Sequence, residues 1–510
     1  MSLSRNSVHT LGEYYQLLLK NGLLADTQPL KADFARTVPL VSCDSRVVVP
    51  GALFICKGAA FREEYLLAAV KLGAAAYVSE RPYPGVSAPC IAVTDIRAAM
   101  ALLADLFWNH PSGKVDVIGI TGTKGKTTTA FFLKAILDRW QESRGLGPTA
   151  LLSSLMVDDG VERREATLTT PEPLDLQRHL AHAAQSGFVT MEVSSQALKY
   201  HRTLGVEFAV GVFLNIGEDH ISPVEHPDFE DYFSSKLRLF SQCAAAVVNL
   251  DCDHAHRVLS AARAAGNRVV TFSLRDPSAQ VYADGLTLEE DEARFTLHTP
   301  RFTTEVSLPM SGWFNVENAL AAAAAAEILG VDGDAVTQGL AQVRVPGRME
   351  TYHSARLPLT VVVDYAHNGM SLEALLSSLR QDYPDRELTV VFGCPGGKAL
   401  DRRESMAAAA ARWAHRILLT EDDPAGEEVA DICAQIGGYI ATLGGTYTVI
   451  PDREEAVRTA VLEAHVPAVV VLAGKGAEHF QKRKGGSEPC VPDALLSQRA
   501  LAEIDGREEA

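Results

Sequence analysis

Basic residues are the minority among the charges: 47 Lys and Arg stand against 64 Asp and Glu, a formal net charge of −17. That balance disfavours non-specific binding to nucleic acid or to an anionic membrane surface, so an anionic ligand must be held by a local pocket. Cysteine is sparse, eight scattered residues without a Cys-x-x-Cys pair. A disulfide framework is excluded and a reducing compartment fits. No apolar run nears the ~20 residues of a membrane helix; the longest, residues 319–326, is short and alanine-rich. At the N-terminus, Glu13, Tyr14 and Tyr15 interrupt the leucines, unlike a signal segment. A cytoplasmic chain with no nucleic-acid partner and no membrane insertion is expected.

What the sequence does hold is ample core material, 47% hydrophobic residues over 510. At roughly 100–200 residues per domain this predicts three domains. Turn-rich His110-Pro111-Ser112-Gly113-Lys114 marks one seam, and Val345-Pro346-Gly347-Arg348 a second. We expect an α/β chain: a small N-terminal α/β domain over 1–112, a central doubly wound sheet of P-loop ATPase type over 113–345, and a Rossmann-like C-terminal domain over 346–510. Predicted N-terminal strands are Val47-Val48-Val49, Leu53-Phe54-Ile55-Cys56 and residues 74–78, with a helix over 65–72. Strands are predicted at 208–213 and 245–250 in the middle, a long helix over 315–343, and strands at 360–363, 388–392, 416–419 and 468–472 beyond the second seam.

The most informative stretch is Val115-Asp116-Val117-Ile118-Gly119-Ile120, running into Thr121-Gly122-Thr123-Lys124-Gly125-Lys126-Thr127-Thr128-Thr129. An apolar strand empties into a glycine turn that opens a helix, which is a triphosphate cradle. Backbone N–H groups and the positive helix end meet phosphate oxygens, Lys126 adds a point charge, and Thr127 offers a hydroxyl to magnesium. Val189-Thr190-Met191-Glu192-Val193-Ser194-Ser195 ends a strand in a carboxylate and two hydroxyls, a hard-oxygen ligand candidate. Asp219 and His220 follow a further buried strand, and Lys236 sits on a predicted helix with Tyr232 and Leu239 nearby. Read singly, His220 is a structural or surface histidine and Lys236 a surface lysine.

Read together, they resemble one family. Gly-Thr-Lys-Gly-Lys-Thr, Met-Glu-Val-Ser-Ser, Asn215-Ile216 with Asp219-His220, Lys236, Asn249, Gly312-x-Phe314-Asn315-x-x-Asn318, Gly347-Arg348-Met349-Glu350 and Asp364-Tyr365-Ala366-His367-Asn368 look like the Mur ligases over nearly the whole chain. Asp44-Ser45-Arg46 followed by Pro50-Gly51-x-x-Phe54 is similar to the MurE branch, which adds the third amino acid to UDP-N-acetylmuramoyl-L-alanyl-D-glutamate. The resemblance implies ATP-dependent amide formation through an acyl phosphate by a monomer. It implies that Gly122, Thr123, Lys124, Gly125, Lys126, Thr127 and Thr128 hold the phosphates. It also implies that Asn249, Asn318, Arg348 and Asp364 contact adenine, ribose or phosphate. One Mg²⁺ falls to Thr127 and Glu192, and a second lies near His220 with a carbamylated Lys236 as its ligand. Lys126, Lys236, Glu192 and His220 become the catalytic set. Thr169, Thr170, Ser194 and Arg202 match contacts to the muramoyl dipeptide, and Ser45 matches the uridine-diphosphate end.

The incoming amino acid is read from a departure. Relatives that add meso-diaminopimelate carry Asp-Asn-Pro-Arg, whose arginine clamps the distal carboxylate; here the run is Asp422-Asp423-Pro424-Ala425. Without a guanidinium and with an extra acid, the site would repel a carboxylate and welcome an ammonium. Glu478, beyond Gly474, matches a contact to the far end of the amino acid and adds negative potential. L-Lysine is therefore the favoured diamino acid, with meso-diaminopimelate or L-ornithine as alternatives. Gly393-Cys394-Pro395-Gly396-Gly397-Lys398 departs from Gly-Cys-Gly-Gly-Asp-Arg-Asp, and leaves Arg402 and Arg403 as the candidates for the α-carboxylate. Folylpolyglutamate synthetase would begin closer to its P-loop. A P-loop switch would release phosphate without regard to either lysine or dipeptide.

Overall fold

The computed structural model describes residues 9–25, 32–58, 61–218, 221–222, 225–289, 291–398 and 400–506. Two compact units emerge: Met1–Lys126, Leu137–Phe272 and Ala324–Val331 form one, and Thr127–Ile136, Ser273–Ala323 and Asp332–Ala510 the other.

In the first unit a four-stranded parallel sheet runs in the order Val41–Ser42, Leu53–Ile55, Ala76–Ser79, Cys90–Ala92. Its period-two side chains feed two cores. Leu53, Ile55 and Val78 pack with Tyr14, Leu18 and Leu103 on one side, while Phe54 and Tyr77 pack with Leu66 and Ala69 on the other. Helix Leu11–Lys20 starts at a capping box in which Thr10 and Glu13 satisfy each other's backbone. The strand expected at Val47 to Val49 is absent. Asp44 instead accepts from the Arg46 N–H and winds Ser45–Val47 into a 3₁₀ turn. Val47 stays 55% exposed, so β-branching alone did not make a strand where nothing covers it.

A larger sheet of the same unit orders its parallel strands Arg268–Ser273, Cys243–Asn249, Phe208–Phe213, Asp116–Thr121, Phe188–Glu192 and Ala150–Leu152. Met156–Asp158 and Arg163–Glu165 then continue it antiparallel. Asp116–Thr121 is the inner strand, buried from Val117 onward as a parallel strand covered on both faces must be. Its neighbours on either side come from later in the chain, so the crevice beyond its carboxyl end is where such sheets take ligands.

The second unit carries an antiparallel meander, Val281–Leu288, Ala293–His298 and Thr303–Leu308. The single helix expected over 315–343 is two, Trp313–Leu329 and Gly333–Gln342. Gly330 takes φ +79° and the Asp332 side chain caps the second helix through the Ala335 N–H at 2.9 Å. A six-stranded sheet follows in the order Glu350–His353, Leu359–Asp364, Ala468–Ala473, Glu387–Phe392, Arg416–Leu419, Thr448–Val449, parallel except for the first strand. Ala468–Ala473, the last of these strands in the chain, lies inside the sheet. Among the described residues no helix is long and apolar enough to cross a membrane.

Candidate active site

Three parallel strands of the first unit end together at the glycine loop. Gly125 caps helix Lys126–Glu142 at φ +83°, a conformation that costs a side-chain-bearing residue about 1 kcal/mol or more. Loop and sheet edge are then stitched. The Thr123 N–H donates to the Asn215 carbonyl at 3.1 Å, and the Lys124 N–H to the Asn215 side chain at 2.9 Å. Thr123 Oγ1 accepts from the Gly217 N–H and meets the Tyr232 hydroxyl, both at 3.1 Å. Two ammonium groups converge on one loop carbonyl: Lys126 and Lys236 each donate to Gly122 O at 2.9 Å.

Lys236 is the chief surprise of position. Helix Phe229–Leu237 points it inward, 1% exposed, with its ammonium 4.5 Å from the Tyr232 ring centroid. A surface lysine is excluded. The helix is moored by His226, whose Nδ1 lies 2.6 Å from Asp231 and whose Nε2 lies 3.0 Å from Ser195 Oγ, with burial pushing the imidazole pKa down. Sequence reading missed His226 and the anchoring role of Tyr232. Both act through contacts between distant segments, which no local spacing reports.

Glu192 closes its strand buried at 1% exposure, with Oε1 accepting from Ser154 N–H at 2.7 Å and Ser154 Oγ at 3.1 Å. Thr170 Oγ1 donates to the Glu192 carbonyl at 2.8 Å and accepts from the Ser194 N–H at 3.0 Å. Ser194 Oγ caps the short helix that follows through Ala197. Arg202 reaches the Thr170 carbonyl at 3.2 Å and Glu172 at 2.8 Å, and Lys57 pairs with the same Glu172. Thr170, Glu192, Ser194 and Arg202 are thus one connected patch, with Thr169 at its margin. Asn249 ends its own strand, donating to the Leu214 carbonyl at 2.9 Å. Ser45 opens the 3₁₀ turn elsewhere in the unit, and His220 lies outside the described residues. Loop N–H groups suit phosphate oxygens, while the Thr127 hydroxyl and the Glu192 carboxylate are each hard-oxygen ligands of the kind magnesium takes.

In the second unit, Asn318 accepts from Thr129 Oγ1 at 3.3 Å. Another cluster sits where four strands of the six-stranded sheet end. Arg348 lies over the Tyr365 ring at 4.4 Å, and Asp364 accepts from the Met349 and Ala366 N–H groups at 2.9 and 2.8 Å. Lys475, flanked by Gly474 and Gly476 and 2% exposed, donates to Glu478 at 2.7 Å, Asp423 at 3.1 Å and the Phe480 carbonyl at 2.8 Å. Tyr365 donates to the other Glu478 oxygen at 3.2 Å. Asp422, 7% exposed, has its carboxyl pKa pushed up to about 6 by burial, against the pull of Lys475 and Arg453. Lys475 was passed over in the sequence, although its place between two glycines and three residues before Glu478 was in view. Arg403 is buried, bonded to Glu427 at 2.7 Å and Gln435 at 2.6 Å, whereas Arg402 precedes it on the half-buried side of the same helix.

The Mur ligase middle domain matches residues 120–326, and the Mur ligase glutamate ligase domain matches residues 347–476. A UDP-N-acetylmuramoyl-L-alanyl-D-glutamate–L-lysine ligase of Enterococcus faecalis is 41% identical over 91% of each chain. The chain belongs to the Mur ligase family. A UDP-N-acetylmuramyl-tripeptide synthetase of Lactobacillus acidophilus is 37% identical to this Mur ligase over 100% of this chain and 99% of its own. Among solved structures, a UDP-N-acetylmuramoyl-L-alanyl-D-glutamate–2,6-diaminopimelate ligase superposes with a TM-score of 0.66 at 27% identity, covering 98% of this Mur ligase and 99% of that chain. The three-domain α/β architecture expected from the sequence is that of the family.

Proposed function

We propose that this Mur ligase joins L-lysine to UDP-N-acetylmuramoyl-L-alanyl-D-glutamate at the expense of ATP. The glutamyl carboxylate attacks the γ-phosphorus and ADP leaves. The lysine α-amine then attacks the acyl carbon, phosphate departs, and the ammonium formed loses a proton. Two anions must meet in the first step, so cations have to surround both. Lys126 and the N–H groups of the glycine loop hold the phosphates, and the Thr170–Arg202 patch orients the peptide acid. One Mg²⁺, held by Thr127 and Glu192, and a second near His220 would supply further charge neutralisation on the transferring phosphoryl group. Carbamylation of Lys236, which needs its amine neutral, would turn a buried cation into an anionic oxygen ligand for the second ion. Asn249, Asn318, Arg348 and Asp364 are assigned to the nucleoside end, Ser45 to the uridine diphosphate, and Arg402 and Arg403 to the α-carboxylate. The division into domains at 112 and 345 follows the same reading, as does a cytoplasmic monomer.

The observation that carries the choice of lysine is a group of acids near Lys475: Asp423 and Glu478 bond its ammonium, and Asp422 lies in electrostatic reach of it. Arg453, which also faces Asp422, is already bonded to Asp493, so the acids exceed the cations left to them and the ε-ammonium of lysine would restore the balance. Ala425 offers no guanidinium, and Arg483, bridged to it through the backbone, is occupied by Glu421 at 2.7 Å and Gln481 at 3.2 Å. A matrix of L-lysine, L-ornithine and meso-diaminopimelate against the UDP-dipeptide and ATP, read by product mass, tests this. Lysine should dominate; preferential use of meso-diaminopimelate would overturn the assignment.

A further inference from the structure

Away from the nucleotide edge, the first unit holds a second group of metal-ligating side chains. Asp159 and Glu162 stand in the turn between Met156–Asp158 and Arg163–Glu165, and His179 and His182 in the last turn of helix Pro173–His182. A spacing of three residues brings both imidazoles to one helix face. One ligand atom from each of the four residues lies within 4.8 Å of the others. Asp159 Oδ2 is 2.7 Å from His179 Nδ1 and 2.8 Å from His182 Nδ1, and Glu162 Oε1 is 3.3 Å from His179 Nδ1. The side chains of Asp159 and His179 are fully buried and that of His182 is 11% exposed. The N–H groups of Val161 and Glu162 hold the other Asp159 oxygen at 2.9 Å, so the carboxylate is fixed in direction. Carbonyls at the helix C-terminus add negative potential where a cation would sit.

We propose that Asp159, Glu162, His179 and His182 form a closed, structural site for a divalent transition ion, with zinc the best match. Two imidazoles and two carboxylates complete a tetrahedron, and imidazole nitrogens select against magnesium and calcium. A guanidinium can only donate, so Arg164, 3.3 Å from His179 Nε2, leaves the His179 proton on Nδ1, where it bonds Asp159. An ion on Nδ1 needs the opposite tautomer, whose Nε2–H faces Arg164. That side chain is 39% exposed and has solvent to turn into. Arg178 likewise holds Glu162 at 2.7 Å. Arginine and ion therefore compete, which a purely hydrogen-bonded cluster would not reveal. The hairpin and the helix also flank the segment bearing Thr169 and Thr170, so an ion would tie together both ends of that segment. Only the assignment of Thr169 and Thr170 to the peptide acid rests on the proposed function.

Tag-free full-length protein, stripped with a chelator and free of nucleotide, is titrated with cobalt(II). A tetrahedral site gives an intense visible absorption that an all-oxygen octahedral site lacks. One cobalt per chain, displaced by zinc, is expected. The band should persist in Lys236→Ala, which separates this site from the nucleotide edge. His182→Ala, at the most exposed imidazole, should weaken binding by more than about 100-fold, beyond the 10–100-fold typical of outer-sphere partners. Arg164→Ala should bind several-fold tighter. Circular dichroism confirms that each variant is folded. Absence of the band in the wild-type chain, its survival in His182→Ala, or an unchanged affinity in Arg164→Ala would overturn the proposal.

Discussion

Replacing Asp422 by asparagine should stabilise the protein, with an effect that grows with pH. Burial raises the Asp422 carboxyl to about 6 from its ordinary 3.8, even with Lys475 and Arg453 pulling the other way. The folded chain therefore binds this proton more tightly than the unfolded chain does. Below the unfolded value both states are protonated and the group costs nothing. As pH rises towards 6 the folded state must give up or strain against its proton, and above 6 the cost is constant. Two pKa units correspond to about 3 kcal/mol at pH 8 and about half of that at pH 5. An asparagine amide never ionises, so Asp422→Asn should gain roughly those amounts in denaturant unfolding run at the two pH values. The same change removes one carboxylate from the group assigned to the lysine side chain, so lysine-dependent ligation should fall as stability rises. Equal stability changes at pH 5 and pH 8, or a loss at both, would refute the argument that an ionised Asp422 is held at a cost for binding.

Three further outcomes follow from the geometry. Glu478→Gln keeps an acceptor for Lys475 but loses the charge; for a part-exposed group a charge-assisted contact is worth about 1.5–2 kcal/mol, so KM for lysine should rise roughly 10–30-fold while KM for ATP stays put. Steady-state kinetics with each substrate varied in turn checks this. Lys236→Ala should lower kcat by at least ~100-fold, as removal of a pre-placed electrostatic group does, with the dipeptide KM little changed. Gly347→Ala should destabilise by about 1–3 kcal/mol in thermal unfolding, because φ is +63° and a Cβ there would overlap the backbone N of Ala477.

The glycine loop was legible because everything that defines it is local: an apolar strand, glycines at fixed offsets and a helix start within fifteen residues. Short continuous apolar runs likewise placed the strands 208–213, 388–392 and 468–472. Where burial is decided by distant packing, the sequence misleads. Lys236 reads as a surface lysine until the glycine loop and Tyr232 are laid beside it, and the Val47 to Val49 run reads as a strand although only Val48 of the three is buried and Asp44 winds the chain into a turn. The alanine run through 326 carries a helical pattern straight past Gly330, although the glycine and Asp332 are a stop and a cap in plain view. At the six-stranded sheet, Asp422, Asp423 and Glu478 came from resemblance. Lys475, the cation that makes their crowding tolerable, could not be weighed until the three were seen around it.

Ala468–Ala473 pairs with Leu359–Asp364 on one side and Glu387–Phe392 on the other. A ribosome making this chain must therefore emit more than a hundred residues between the first of these partners and the segment that joins them. Until it does, two β-edges stand open at once, each able to recruit a foreign strand. Chains terminated before 468 would lose the middle of a sheet rather than its rim, and should accumulate as aggregate instead of as a shortened folded enzyme.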